Sequence, residues 1–439
     1  MGLYFGTDGL RGIVNEDLSF EIAYKVGNAL SATKSSPTVL IGRDTRLSGE
    51  YLTLAVAGGV MSGGGSVIDL GVIPTSGVAY LTRELSADYG VVISASHNSA
   101  EYNGIKVFDS SGYKLGDREE ERLERCFIRS RINPFPEIGR FRTEDNLYKK
   151  YESFLLGSVK HSLEELSVVL DCANGAACRI APAAFRRLGA SVVAACASDD
   201  GMRINDGCGA LYPENLIRRM ARYKADVGFA FDGDADRLIA VTREGRVIDG
   251  DLTVYMLAKH LRADGRLRSD TAVGTSHTNM AIERALADEG IAFLRTDIGD
   301  KYVLAKMLER GLSLGGEQSG HIILGDLHTT GDGILTALFL SDMLVSSGAT
   351  LSELADVRLY PQINLNLTVG DKLKIMNSER LSREVARASS ELGDAGRVMV
   401  RASGTEPKIR IMVESEDEEK NRAYAEAIAA AVRLTDAES

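Results

Sequence analysis

Three stretches of the chain repeat one rhythm, in which apolar positions at helical spacing alternate with short β-branched runs. Ser19 reads as the cap of a helix whose Ile22, Ala23, Val26, Ala29 and Leu30 share a face, and residues 38–41 follow as a strand. A helix through 52–61, a strand over 66–70 and a strand over 89–94 complete the first stretch. The second runs through a strand at 168–172, a helix at 180–188, a strand at 191–195, a helix at 213–223 and a strand ending before Asp232. The third has a helix at 252–261, a strand at 271–274, a helix at 278–289 and a strand at 291–295. This alternation is that of α/β units, although no sequence repeat links them. After them the period shortens: Ile363, Leu365 and Leu367 alternate, strands are expected at 397–400 and 409–413, and a helix at 416–434 closes a smaller α+β unit. Joints expected near 148–158, 249–251 and 359–362 divide the chain into domains 1–152, 153–250, 251–360 and 361–439.

A chain of 439 residues is too long for one ordinary core and suggests three or four units of roughly 100 to 150 residues each. A net charge of −11 argues against a nucleic-acid or anionic-membrane surface, so an anionic substrate must be met by locally placed basic groups. Cys126, Cys172, Cys178, Cys196 and Cys208 are odd in number and form no C-x-x-C pair, which points to reduced thiols rather than a disulfide framework or a zinc site. Gly6 stands where a myristoylation signal needs Ser or Thr, and no leader-like segment or apolar run of about 20 residues is present. A cytoplasmic location is expected.

Chemistry concentrates at four places. In V-V-I-S-A-S-H-N-S-A-E-Y-N-G-I-K-V-F, at 91–108, a buried strand runs into a polar loop that presents Ser96. In F-A-F-D-G-D-A-D-R, at 229–237, a second apolar strand runs into Asp232, Asp234 and Asp236; Gly233 and Ala235 let the chain curl so that the carboxylates converge on one cation. Oxygen-only ligation selects Mg²⁺, Mn²⁺ or Ca²⁺ over zinc. An EF-hand fails, because Arg237 stands where Gly is needed and Arg243 where the bidentate Glu belongs. Ser96 lacks the G-x-S-x-G setting of a hydrolase nucleophile, and no P-loop occurs. A serine that itself carries the phosphoryl group, facing a divalent metal, satisfies both observations. The third cluster, Gly315 to His321, offers Glu317, Gln318 and Ser319 for sugar hydroxyls. The fourth, Arg401 to Pro407 with Arg410, offers guanidinium groups, hydroxyls and backbone N–H groups for a phosphate.

With these clusters in this order, and Y-F-G-T-D-G-L-R-G at 4–12, the chain resembles the α-D-phosphohexomutases over nearly its whole length, and among them the branch acting on glucosamine phosphates. The resemblance implies four domains around a central cleft: three related α/β domains with mixed sheets, then a smaller α+β domain. It implies that Ser96 is the phosphoserine, that Asp232, Asp234 and Asp236 bind Mg²⁺ with the phosphoryl group of Ser96 completing the shell, and that Arg237 ends the metal loop. Arg11, Lys106 and His321 match basic positions around the transfer site, Glu317 and Ser319 the sugar-binding loop, and Arg401, Ser403, Gly404, Thr405 and Arg410 the phosphate-binding loop. The implied activity is reversible conversion of glucosamine 6-phosphate to glucosamine 1-phosphate, feeding UDP-N-acetylglucosamine synthesis. A hexosamine 1,6-bisphosphate is intermediate and activator. A phosphomannomutase or phosphoglucomutase is the nearest alternative, and a sugar-phosphate phosphatase a more distant one. The expected partner is a small sugar phosphate, with no nucleic acid and no membrane; a homodimer is compatible with the resemblance. Ser99 and Ala402 stand where the family commonly has Pro, and 210–214 and 275–279 differ from its glucosamine-specific forms.

Overall fold

The computed structural model describes residues 9–128, 137–144, 146–403 and 407–438, with side chains omitted at 127 and 128. They form two compact units: the described residues of Met1–Thr278 with Glu289–Asp356, and those of Asn279–Asp288 with Val357–Ser439.

The first unit holds three mixed sheets built alike. In the first, Thr38–Arg43 lies between Ser66–Val72 and Tyr89–Ile93, all parallel, and the sheet continues through Tyr102–Phe108 and Leu10–Ile13, both antiparallel to their neighbours; Phe141–Thr143 extends the other edge. In the second, Ser167–Asp171 pairs in parallel with Ser191–Ala195 and Val227–Phe231, and Leu238–Thr242 returns antiparallel to Val227–Phe231. In the third, Thr271–Thr275 pairs in parallel with Ala292–Thr296 and Leu314–Gly316, and Ile322–Leu324 returns antiparallel. Each sheet is a parallel core that ends in an antiparallel hairpin. The three hairpin loops carry Ser96, the aspartates and Glu317 to His321.

Helix placement follows the amphipathic signals where those exist. Ser19 caps Phe20–Thr33 by accepting the Ile22 N–H, and Ala23, Val26, Ala29 and Leu30 are buried. Pro213 opens Pro213–Tyr223 at a position that needs no N–H donor. Gly333–Ser347 gave no periodic signal, because nearly its whole circumference is buried. Helix Tyr148–Gly157 runs across the joint placed at 152/153, and Gly250–Ala263 begins at the one placed at 250/251.

In the second unit, Gln362–Thr368, Lys408–Ser415 and Gly396–Ala402 form an antiparallel sheet with Lys408–Ser415 central. Ile409, Ile411 and Val413 pack against Leu381, Ile428 and Val432 from helices Glu379–Leu392 and Glu418–Ala437. Among the described residues no helix is long and apolar enough to cross a membrane.

Candidate active site

The Ser96 loop is held rigidly. Ser96 itself adopts φ 51°, a left-handed conformation that costs a non-glycine residue about 1–2 kcal/mol and needs support from its surroundings. Arg46 supplies much of it: fully buried, it pairs with Asp44 Oδ2 at 2.9 Å and donates to the carbonyl oxygens of Ser96 at 3.1 Å, Asn98 at 2.7 Å and Tyr102 at 2.9 Å, and also to Ser99 O. Asn205 Nδ2 donates to Ser96 O and Asn98 O, both at 2.9 Å, and the Ser96 N–H reaches Ser94 Oγ at 2.9 Å. Ser99, in a place where proline would stiffen the loop, is therefore fixed through its carbonyl instead. Ser96 Oγ donates to Asp232 Oδ2 at 2.6 Å, which joins the first sheet's loop to the second's.

That approach depends on Gly233, where a Cβ would lie 2.5 Å from Ser96 O. Ala235 takes φ 58°, and the curl brings one oxygen from each of Asp232, Asp234 and Asp236 within 4.8 Å of the others. All three aspartates are buried, and Asp234 Oδ1 and Asp236 Oδ1 have no hydrogen-bond partner. Thr75 Oγ1 donates to Asp234 Oδ2 at 2.6 Å, and Lys106 Nζ lies 2.9 Å from Asp234 Oδ2 and 3.4 Å from Asp236 Oδ2. Burial, then the charges of Asp236 and Asp234, push the Asp232 carboxyl up to about 8. Burial acts the same way on Asp236, but Lys106, His321 and Arg237 hold it well below the usual carboxylate range. Buried carboxylate oxygens without donors, converging in an all-oxygen set, fit a hard divalent cation.

A cavity of about 560 Å³ opens beside this cluster, lined among others by Arg11, His97, Lys114, Arg237, Asp300, Glu317, Ser319 and His321. Arg11 Nη1 donates to Asn98 Oδ1 at 3.2 Å, and the Arg237 N–H to Asp232 Oδ1 at 3.2 Å. Buried His321 lies between two carboxylates, Nδ1 3.6 Å from Asp236 Oδ2 and Nε2 3.6 Å from Asp300 Oδ2, while the Gly331 N–H points at Nε2 from 3.1 Å. Burial lowers its basicity, but Asp236 and then Asp300 outweigh this and raise it. Lys114 forms an ion pair with Asp300. Glu317 accepts the Gly299 N–H at 3.0 Å, and burial raises its carboxyl. His97, with Nδ1 3.3 Å from Ser96 Oγ, is pushed down to about 4 by burial, then by Arg237 and Arg11.

The first unit thus brings Ser96, Arg11, Lys106, Asp232, Asp234, Asp236, Arg237, Glu317, Ser319 and His321 to one region. Sequence reasoning missed Asp44, Arg46, Thr75, Lys114, Asn205 and Asp300. Only the D-T-R run at the end of strand Thr38–Arg43 carried a signal, since loops at that end of parallel strands hold the other functional groups. In the second unit, Arg401 and Arg410 are cross-strand partners, and Arg401 is lowered by burial and by the Arg410 charge. Ser403 donates its N–H to Lys408 O at 2.8 Å, and Lys372 Nζ reaches Ser403 O at 2.7 Å. Gly404 and Thr405 lie outside the described residues.

Residues 2–132, 148–245 and 249–360 match the phosphoglucomutase/phosphomannomutase alpha/beta/alpha domains I, II and III, and residues 363–431 match the C-terminal domain of the same description. The phosphoglucosamine mutase of Carboxydothermus hydrogenoformans is 46% identical over 426 residues, covering 95% of this chain and 96% of the relative. That of Geobacillus thermodenitrificans is 44% identical, covering 99% of each. Among solved structures, a phosphoglucomutase/phosphomannomutase family protein from Burkholderia thailandensis superimposes with a TM-score of 0.84 at 24% identity, covering 98% of this chain and 97% of that one. The N-acetylphosphoglucosamine mutase of Aspergillus fumigatus, in complex with GlcNAc-6P and magnesium, gives 0.69 at 18% identity, covering 99% and 96%.

Proposed function

The chain belongs to the phosphoglucomutase/phosphomannomutase family, and from that premise we propose that it interconverts glucosamine 6-phosphate and glucosamine 1-phosphate through a phosphorylated Ser96. The observation that carries the chemistry is the meeting of the Ser96 hydroxyl with a buried aspartate cluster, two of whose oxygens accept no hydrogen bond, beside a cavity edged with Arg, Lys and His. In the first half-reaction the Ser96 Oγ–P bond breaks as an O–P bond forms to the free sugar hydroxyl, whose proton leaves to a basic group lining the cavity while the departing Ser96 Oγ takes a proton to become the free hydroxyl. The resulting 1,6-bisphosphate reverses its orientation. In the second half-reaction its other phosphate passes to Ser96 Oγ, the serine hydroxyl proton leaves to a basic group lining the cavity, and the departing sugar oxygen takes a proton from there. Lys106, Arg11 and Arg237 stabilise charge on the group in flight, where positioning and electrostatics supply most of the acceleration. Asp232, Asp234 and Asp236 would hold Mg²⁺, which when bound supplies positive charge against the phosphoryl oxygens.

A coupled assay with glucosamine 6-phosphate and trace 1,6-bisphosphate tests the assignment. Glucosamine 6-phosphate should turn over faster than mannose 6-phosphate or glucose 6-phosphate; a preference for either of the others would move the chain to another member activity. Steady release of inorganic phosphate without isomer formation would make it a phosphatase.

Thorough chelation should abolish turnover. Mg²⁺ should restore it, and Ca²⁺, larger and less strict in geometry, should do so poorly. Because the Asp232 carboxyl is held up at about 8, protons compete with the cation below that pH. The Mg²⁺ concentration giving half-maximal rate should therefore fall as pH rises towards 8 and level off above it; a flat dependence would mean that no proton on Asp232 competes with the cation in this range. Asp234→Asn should weaken Mg²⁺ binding and lower the rate, since one anionic ligand becomes a neutral one.

In the second unit, Arg401 and Arg410 are proposed to bind the phosphate that is not reacting. Replacing either with Ala should raise KM and lower kcat, since a lost charge-assisted hydrogen bond is worth about 1.5 to 3 kcal/mol, roughly one to two orders of magnitude. Seryl phosphorylation by added bisphosphate should persist in Arg401→Ala but need a higher concentration. Unchanged substrate constants would withdraw both arginines from phosphate binding.

A further inference from the structure

Away from the aspartate cluster, the second sheet gathers a different donor set. Asp171 ends the strand Ser167–Asp171, Cys196 follows the neighbouring strand Ser191–Ala195, and Cys208 lies in the turn after Asn205. One carboxylate oxygen and the two Sγ atoms lie within 4.8 Å of one another. Asp171 is fully buried; its Oδ1 accepts the Ala173 N–H at 3.0 Å, but its Oδ2 has no hydrogen-bond partner. Both sulfurs receive amide donors, Cys196 from Asn215 Nδ2 at 3.4 Å and Cys208 from Asn174 Nδ2 at 3.8 Å. The neighbouring thiol of Cys178 instead points at backbone carbonyls, including Ser198 O at 3.4 Å. Cys196 is half-buried, which leaves one side of the cluster open to solvent.

We propose that Asp171, Cys196 and Cys208 form a binding site for a thiophilic divalent cation of the Zn²⁺ class, distinct from the oxygen-only aspartate cluster. Tetrahedral zinc with Zn–S near 2.3 Å and Zn–O near 2.1 Å separates sulfurs by about 3.8 Å and sulfur from oxygen by about 3.6 Å. The observed cluster accommodates both separations within its 4.8 Å span. Binding releases the two thiol protons, brings the Asp171 carboxylate onto the ion, and leaves the fourth position to water on the Cys196 side.

The test is titration of the reduced, chelator-treated full chain with Co²⁺. Thiolate-to-cobalt charge-transfer absorption should grow to saturation at one ion per chain. Co²⁺ on the aspartate cluster gives no such band, because that site has no sulfur. Cys196→Ser and Cys208→Ser should each lose the band while keeping Mg²⁺-dependent mutase activity, which shows that they fold, and Asp171→Asn should bind Co²⁺ at least tenfold more weakly. Zn²⁺ should displace the cobalt and raise the thermal midpoint of the wild type but not of Cys196→Ser. No band in the wild type, a band that survives both serine variants, or loss of two free thiols without bound metal would each overturn the site.

Discussion

Ser96→Ala should give a folded protein with no measurable turnover, a loss on the order of 10⁴-fold or more, as expected when a covalent group carrier is removed. The substitution deletes one oxygen and changes no core volume. Ala can occupy the left-handed conformation at φ 51° at a cost similar to that of Ser, because the loop is fixed through its carbonyls by Arg46 and Asn205. What the variant does lose is the donor to Asp232 Oδ2, so a small fall in stability is expected alongside the loss of activity. Intact-mass measurement separates the covalent role from a merely structural one. Active wild-type enzyme should contain a fraction heavier by one phosphoryl group, and the variant incubated with 1,6-bisphosphate should contain none. A variant that turned over at close to the wild-type rate would end the phosphoserine mechanism.

The elements legible in the sequence were those whose burial is one-sided. Phe20–Thr33 and Pro213–Tyr223 carry a cap or an N-terminal proline and a clear apolar face, and both formed where the pattern placed them. The antiparallel return strands were not legible: Leu238–Thr242 is buried along its whole length, so it lacks the alternation that marks a half-exposed strand. That omission hid the common plan of the three sheets, since it is the return strand that turns each functional loop into a hairpin tip. The site divided in the same way. Ser96 and the aspartates advertise themselves by unusual local spacing, whereas Asn205 and Thr75 act through hydrogen bonds to residues more than 100 positions away, which no local pattern encodes. The cysteines are the opposite case: the absence of C-x-x-C spacing argued against a metal, yet adjacent parallel strands and a returning turn bring Cys196 and Cys208 beside Asp171.

The largest effect expected outside the reacting groups belongs to Arg46. Arg46→Met should lower stability by about 3 to 5 kcal/mol, because it leaves the Asp44 carboxylate buried without its partner and strips donors from the carbonyls of Ser96, Asn98, Ser99 and Tyr102. Against a typical total of about 5 to 15 kcal/mol this is a large fraction, readable as a lower denaturant midpoint. The loop is then free to leave the left-handed turn, and a displacement of Ser96 on the order of 1 Å is enough to lower kcat by about 10²-fold. Two further variants separate the stability effect from the positioning effect. Asp44→Asn combined with Arg46→Met removes the stranded charge, so the double variant should be more stable than the sum of the single changes predicts, with a coupling of roughly 1 to 3 kcal/mol. Its kcat should stay low, because the loop carbonyls still lack their donors. Arg46→Lys keeps the positive charge near Asp44 but replaces a planar fork by a single ammonium group, so it should recover part of the stability and little of the rate. If stability and kcat instead rose together in the double variant, Arg46 would act only as the counter-charge of Asp44, and the rigidity of the Ser96 loop would have to come from Asn205 and Ser94.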